Sequence, residues 1–221
     1  MTWLALVRHG VTEWNERGVI QGRTDIPLSA AGEAALRRAR PCDDFVRARW
    51  VSSPLRRARQ SAAILNPRAR AEVHDALAEA DWGDFEGVRR DRLPARIREL
   101  GLTPARGLDF TPPRGESART VQQRLRPWLA TIAQSRAPVV AVTHKGVIRN
   151  ALSIACEWDM QHDFRPRADW TRPHLFRFDD DGRLRLMRLN ARWDESPDAD
   201  VTDADADANA EVDSDTDSNP N

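Results

Sequence analysis

The chain has 221 residues and a formal net charge of zero, from 34 basic and 34 acidic side chains. That length accommodates one sizeable core but not two full domains. Cys42 and Cys156 show no metal or redox spacing, which argues against a disulfide framework, and no segment has the ~18 apolar residues that a membrane span requires. We therefore expect a cytoplasmic protein without a membrane partner.

The first predicted element is a buried strand at residues 4–7, an unbroken apolar run that stops on Arg8, His9 and Gly10. A glycine-containing loop follows. Ser29 then offers an N-cap for a helix that we expect to run to about residue 40.

A second strand is predicted at residues 50–52. Ser53 can cap the next helix, with Pro54 at its first position and an apolar face at helical spacing behind it. Arg57 lies off that face and close to the predicted helix N-terminus. Free amides and the helix dipole already favour anions at such a position.

Residues from about 81 to 116 are rich in glycine, proline and arginine, with one short helix predicted around residues 89–100. We interpret this segment as a small cap inserted over the sheet edge, and caps of this kind commonly select substrates. Arg89, Arg90 and Arg92 are expected on its solvated face.

The remaining elements are a helix from 117 to about 134, a strand at 138–143, a helix at 146–156 and a hairpin of strands at 175–178 and 184–189. Strands that alternate with helices in this way predict an α/β fold. We expect three α/β/α layers around a mostly parallel, doubly wound sheet, with the cap as an insertion.

The C-terminal segment 194–221 differs in charge from the rest of the chain. It contains 11 acidic residues and no basic one, whereas residues 1–193 hold 34 basic and 23 acidic residues, a net charge of +11. Without regularly spaced large apolar residues the segment predicts a disordered acidic tail behind a domain of residues 1–193. The arginines are scattered and show no nucleic-acid reader motif, so no nucleic-acid partner is expected.

Two predicted strands end on histidine: His9 follows the first, and His144 follows the strand at 138–143. Ligands of open α/β sheets bind outside the carboxyl ends of the strands, so both imidazoles can share one crevice. A neutral imidazole is nucleophilic near neutral pH, and arginine forks neutralise phosphoryl oxygens, a combination suited to phosphoryl transfer. The alternative for either histidine is a polar strand end that faces water.

Five blocks of sequence resemble the histidine phosphatase superfamily, the phosphoglycerate-mutase-like proteins, in order over roughly residues 3–190. The first block is Arg8-His9-Gly10-Val11-Thr12-Glu13-Trp14-Asn15, continued by Gln21-Gly22 and Asp25-Ile26-Pro27-Leu28. The others lie at residues 52–62, 77–87, 112–117 and 143–149. The resemblance implies the same fold and a site formed from these blocks.

By that resemblance His9 is the nucleophile that becomes phosphorylated, and Arg8, Arg57 and His144 hold the phosphoryl group. Glu79 matches the general acid, which protonates the leaving oxygen and then activates water. Matches to the lining of the phosphate pocket are found at Asn15, Gln21 and Gly22. The resemblance implies neither a cofactor nor a metal ion, and no residue cluster has metal-ligand spacing.

The sequence departs from the family pattern at two positions. Lys145, the only lysine in the chain, and Arg114 each stand where the family commonly has glycine. We expect Lys145 to reach towards a second anionic group of the substrate; the alternative is an ammonium group in solvent. His74, His162 and His174 have no partners at ligand spacing.

The sequence favours a metal-independent phosphomonoesterase that acts on a small-molecule phosphate ester through a phosphohistidine. Only 65 positions separate Glu79 from His144. Mutases of the family generally have a longer insertion there, so a phosphatase is favoured over a phosphoglycerate-type mutase. A catalytically silent protein that binds phosphorylated ligands is a third interpretation. The physiological substrate and the formation of a homodimer stay open.

Overall fold

The computed structural model describes residues 3–103, 106–135 and 137–198. Its strands are β1 (Trp3–Arg8), β2 (Arg49–Ser52), β3 (Glu72–Val73), β4 (Val139–Thr143), β5 (His174–Phe178) and β6 (Leu184–Arg188). Its α-helices are α1 (Glu13–Glu16), α2 (Ala30–Arg38), α3 (Asp43–Arg47), α4 (Arg56–Leu65), α5 (Leu93–Glu99), α6 (Ala118–Ser135) and α7 (Lys145–Cys156).

The six strands form one sheet in the order β3-β2-β4-β1-β5-β6. The four strands from β3 to β1 are parallel, and β5 and β6 complete the sheet in antiparallel pairings. The prediction of a mostly parallel sheet is confirmed. In the register of the central pair, Arg8 lies opposite Thr143, so the carboxyl ends of β1 and β4 are adjacent.

Alternate side chains of the sheet enter two separate cores, as the period of two in a strand requires. Leu4 and Leu6 of β1 pack against α6 and α7 on one face. Trp3, Ala5 and Val7 pack on the other face against apolar side chains of α3 and α4. Two helical layers thus enclose the sheet, and the predicted three-layer α/β/α architecture is confirmed.

The start of α4 differs from the prediction. The helix begins at Arg56 rather than at Pro54, because Ser53 continues the β2 ladder and donates its N–H to the carbonyl of Val142. The N–H of Arg56 donates instead to the carboxylate of Asp25, at 2.6 Å from a loop 31 residues away. The cap of this helix is therefore a tertiary contact, which a local motif cannot reveal.

The predicted cap segment has a small core of its own, in which Ile20, Phe85 and Ile97 are buried together. Short 3-10 turns at Gly83–Phe85 and Arg90–Arg92 precede α5. The chain also keeps contacts after β6: the Trp193 carbonyl accepts from the Cys42 N–H, and the Ser196 hydroxyl donates to Asp44. Most of the predicted tail, residues 199–221, lies outside the described residues.

Within the described ranges, no helix has the length and apolar character that crossing a membrane requires.

Candidate active site

The carboxyl ends of three neighbouring strands place Ser53, His144 and His9 side by side. The backbone N–H of His9 donates to the Thr143 carbonyl at 2.9 Å, which extends the pairing of β1 with β4 by one residue. The two imidazole rings lie with their centroids 5.0 Å apart. The two predicted histidines therefore share one crevice, and neither is a strand end facing water.

Hydrogen bonds orient both rings. His9 Nδ1 lies 2.7 Å from the Gly10 carbonyl, and because a carbonyl only accepts, Nδ1 carries the proton and Nε2 keeps a lone pair. His144 Nε2 lies 2.7 Å from the Ser53 hydroxyl. His144 Nδ1 is buried and has no partner in the described part of the chain, so it is available to a bound group.

Burial and positive charge keep both imidazoles neutral. Burial, followed by the charges of Arg57 and Arg8, lowers the pKa of His9 well below the ordinary 6.5. The pKa of His144 is lowered by burial first and then by the charge of Arg57. A neutral imidazole with an exposed lone pair is the nucleophilic form of the side chain.

Arg57 is fully buried in the first turn of α4. Its two terminal nitrogens donate to the carbonyls of Gly22 and Thr24, at 2.7 and 2.9 Å. Burial lowers the pKa of Arg57 to about 10, and the side chain remains charged at neutral pH. The guanidinium is thus fixed beside the histidines by backbone groups rather than by a carboxylate. We name Arg8, His9, Arg57 and His144 the histidine-arginine cluster.

The loop that holds Arg57 is itself held by Glu86, a residue that the sequence analysis did not single out. Its carboxylate accepts from the N–H groups of Arg23 and Thr24, at 2.6 and 2.8 Å, and from the N–H of Trp82 at 3.3 Å. Gly22 leaves room for this contact, because a Cβ there would lie 2.0 Å from Glu86 Oε1.

Glu79 approaches the cluster from the loop after β3. Its carboxylate accepts from the N–H of Ala80 at 2.9 Å and from the N–H of Gly146 at 3.1 Å. A Cβ on Gly146 would lie 2.2 Å from Glu79 Oε1, so a side chain there would displace the Glu79 carboxylate. Burial raises the pKa of Glu79 above its ordinary 4.5, although both N–H groups and the nearby arginines act in the opposite direction. A carboxyl of raised pKa can carry a proton for transfer.

Arg124 on α6 positions the segment that carries Glu79, and the sequence analysis missed it. Its guanidinium donates to the carbonyls of Ala76, Ala78 and Glu79 at 2.6 to 3.2 Å. It also pairs with Glu116 at 3.2 Å. An arginine in an amphipathic helix gives no local signal of such a role.

Of the predicted pocket-lining residues, Asn15 has a structural role and Gln21 presents a polar group that is free within the described part of the chain. Asn15 forms a capping box with Thr12 at the start of α1, and its amide nitrogen donates to Gln21 Oε1 at 3.3 Å. Thr12 also donates to Gln21 Oε1, at 3.0 Å. These contacts fix the amide of Gln21 and leave its buried Nε2 without a partner in the described residues.

The two departures from the family pattern lie outside the cluster. Arg114 adopts a left-handed backbone conformation with φ of 59° and pairs with Asp84. Lys145 is half-buried, and its Nζ lies 5.0 Å from the centroid of the Trp170 ring. In the described ranges no three His, Cys, Asp or Glu side chains are grouped as metal ligands.

Known proteins resemble this chain in sequence and fold. The sequence model of the family described as "Histidine phosphatase superfamily (branch 1)" matches residues 4–192. "Uncharacterized phosphatase PhoE" of Bacillus subtilis (strain 168) is 42% identical over 107 residues, which cover 44% of this chain and 54% of PhoE. A 2,3-bisphosphoglycerate-dependent phosphoglycerate mutase of Methylobacterium radiotolerans is 35% identical over 140 residues, which cover 58% of this chain and 66% of the mutase. The chain thus spans between about half and two thirds of these relatives.

A solved structure matches over a longer stretch. The mycobacterial glucosyl-3-phosphoglycerate phosphatase in complex with VO3 superimposes with a TM-score of 0.70 at 25% sequence identity, over 86% of this chain and 100% of that one. The family match, the shared fold and the geometry of the site agree, and this chain belongs to the histidine phosphatase superfamily, branch 1.

Proposed function

We propose that this protein is a metal-independent phosphatase that hydrolyses small phosphate monoesters through a phosphohistidine at His9. The observation that carries the proposal is the state of His9. The ring is neutral, its Nδ1 proton is held by the Gly10 carbonyl so that Nε2 keeps its lone pair, and the charges of Arg57 and Arg8 act on the ring.

In the first step the Nε2 lone pair attacks phosphorus and the P–O bond to the leaving group breaks. Glu79 transfers its carboxyl proton to the departing oxygen, so the alcohol leaves neutral. Arg8 and Arg57 stabilise the negative charge on the phosphoryl oxygens. When the Ser53 hydroxyl donates to His144 Nε2, the neutral ring carries its proton on Nδ1, and this Nδ1–H donates to one of the same oxygens.

In the second step water attacks the phosphohistidine, and the Glu79 carboxylate accepts the proton that the water loses. The P–N bond breaks, phosphate leaves, and His9 and protonated Glu79 are restored. The raised pKa of Glu79 suits both directions of proton transfer.

The proposal is tested by trapping the intermediate. Wild type mixed with a ³²P-labelled aryl phosphate and quenched in alkali should retain label on His9, and turnover should persist with a chelator present. His9→Ala should abolish label and turnover, whereas His74→Asn, at an exposed histidine whose acceptor role asparagine can keep, should retain both. Label on Ser53, or activity lost to the chelator and restored by a divalent ion, would overturn the assignment.

A mutase is the second candidate, supported by the similarity to the Methylobacterium radiotolerans enzyme. The two activities separate with 3-phosphoglycerate as substrate and 2,3-bisphosphoglycerate as phosphoryl donor, since a phosphatase releases inorganic phosphate and a mutase forms 2-phosphoglycerate. Binding of phosphate esters without either product would indicate a catalytically silent protein.

A further inference from the structure

A cavity of about 400 Å³ lies beside the histidine-arginine cluster, and we call it the side cavity. It meets the cluster region at Gln21, Glu79 and Gly146. Its volume is within the range of small-molecule sites, about 300–1,000 Å³. Glu79 lines it, so a leaving group that accepts the Glu79 proton extends into this space.

One part of the side cavity is apolar. This wall consists of Ile20, Trp82, Leu93, Ile97, Phe110 and Met160. Most of these side chains come from the cap segment, whose own core supports them. The wall provides contact area for carbon atoms of a ligand but no charge.

Another part is cationic, with Arg90, Lys145 and Arg149 among its lining residues. Neither Arg90 nor Lys145 forms an ion pair with a carboxylate in the described ranges, whereas Arg149 lies over the Trp158 ring at 4.7 Å and near Asp163. Burial, followed by the charges of Arg90 and Arg149, lowers the pKa of Lys145 to about 8. In the described ranges, Arg90 and Lys145 therefore add positive charge to this part of the cavity without an ion-paired carboxylate.

Two further carboxylates that line the cavity are engaged elsewhere. Glu79 accepts two backbone N–H groups, and its pKa is raised. Glu116 pairs with Arg124 and Arg23, at 3.2 and 3.1 Å. Arg90 and Lys145 are thus left for a negative charge that the chain does not supply.

An aromatic contact positions the half-buried side chain of Lys145. Its ammonium group lies over Trp170, and the Trp170 ring meets the buried His174 ring in a T-shaped contact at 5.7 Å. His174 belongs to β5, so the support of Lys145 reaches back to the sheet. A cation held on an aromatic face retains its charge for a ligand.

The side cavity also presents a buried acceptor without a partner. Asn150 donates from Nδ2 to the Gly146 carbonyl at 2.9 Å, which fixes the orientation of the amide. Its buried Oδ1 has no hydrogen-bond partner in the described part of the chain. Buried polar atoms are normally satisfied, so this oxygen indicates a ligand group that donates a hydrogen bond, such as a hydroxyl, and not the anionic group itself.

We propose that the side cavity selects phosphate esters whose leaving group carries a second anionic group, a carboxylate or a phosphate, which Lys145 and Arg90 bind. The inference rests on the proposed function, because it assigns the substrate class of the same site. The apolar wall would contact the carbon skeleton between the two anionic groups.

The first experiment measures binding, which does not require turnover. Calorimetry compares 4-carboxybenzylphosphonate with 4-carbamoylbenzylphosphonate, in which a neutral amide replaces the carboxylate. A third ligand, 1,4-xylylene bisphosphonate, distinguishes preference for a second phosphoryl group from preference for a carboxylate. Wild type should bind the carboxylate ligand, the bisphosphonate or both about 10- to 100-fold more tightly than the amide, the range of a charged hydrogen bond.

Lys145→Met should abolish that preference while leaving the affinity for the amide within about twofold, and Lys145→Arg should restore most of it. Arg90→Met should reduce the preference in part. Arg92→Met is the matched control, because Arg92 is an exposed arginine of the same turn and does not line the side cavity. It should behave as wild type.

The corresponding aryl phosphates provide the kinetic test, as kcat/KM for the 4-carboxyphenyl and 4-carbamoylphenyl esters. If neither ester is hydrolysed but the phosphonate preference holds, the proposed function fails and the binding inference stands. Equal affinity of wild type for all three phosphonates, or an equal loss for all three in Lys145→Met, would overturn the inference.

Discussion

The histidine-arginine cluster and the side cavity adjoin each other, yet they are built from different contacts. In the cluster, His9 and His144 follow adjacent strands, and backbone carbonyls fix His9 and Arg57. The side cavity is closed by side chains from the cap and from residues 145–163, and its cations lie beside aromatic rings or have no counter-ion.

The difference separates chemistry from selection. The positions of side chains at the ends of the strands vary little, because the strand register fixes where each residue lies in the sheet. Loops over a rigid scaffold tolerate change and commonly carry specificity. The two departures from the family pattern, Arg114 and Lys145, both lie outside the cluster. Substitutions in the two regions should therefore have different kinetic consequences.

Glu79 belongs to both regions, and its removal should have the largest effect. Glu79→Gln should slow alkyl phosphates by about 100- to 10,000-fold, because their leaving oxygen needs a proton. Aryl phosphates with an acidic phenol should lose far less. A series of esters with graded leaving-group pKa measures this, with the exposed Glu99→Gln as control. Equal slowing across the series would count against a general acid.

Arg57 tests the cluster alone. Arg57→Lys keeps the charge but loses the fork that donates to Gly22 and Thr24, so kcat should fall about 100- to 1,000-fold for every ester. The exposed neighbour Arg56 provides the matched variant, Arg56→Lys, which should keep wild-type rates. An effect confined to esters whose leaving group carries a second anionic group would assign Arg57 to the side cavity instead.

His174 tests the support of the side cavity through the pH dependence of stability. Burial lowers the pKa of His174 from 6.5 to about 4, so the unfolded chain binds a proton that the folded chain excludes between these values. The free energy of unfolding should therefore fall by about 3 kcal/mol from this residue as pH decreases from 6.5 to 4.

His174→Asn retains an acceptor for the Asn190 N–H but cannot titrate in this range. Denaturant unfolding at pH 7.5 and pH 4.5 compares each variant with itself, which removes any constant packing loss. The same pH difference in wild type and His174→Asn would show that this imidazole is not held neutral.

Glu86 should give the smallest effect, because it acts on the cluster through the loop that holds Arg57. Glu86→Gln should lower kcat about tenfold, since a small displacement of a catalytic group is costly. In the Arg57→Lys background the same change should add little, because coupled residues are not additive. Full additivity in this double-mutant cycle would reduce Glu86 to a structural residue.

Much of the fold and of the site could be predicted from sequence. Apolar runs indicated the central strands, Ser29 was correctly predicted as the cap of α2, and the strand ends predicted that the two histidines meet. These features depend on periodicity and on local hydrogen bonding, which are properties of adjacent residues. The functional assignment of Glu79 required the family resemblance, since a glutamate between two alanines gives no local signal of a catalytic role.

Other features exist only in the folded chain. Asp25 replaces a local cap on α4, Arg124 holds the Glu79 segment from 45 positions away, and Arg90, which is exposed as expected, also lines the side cavity. Each depends on groups that are distant in sequence and adjacent in space. The sequence determined which chemical groups stand at the strand ends, whereas tertiary packing decided their proton states and their neighbours, because burial and distant charges set both.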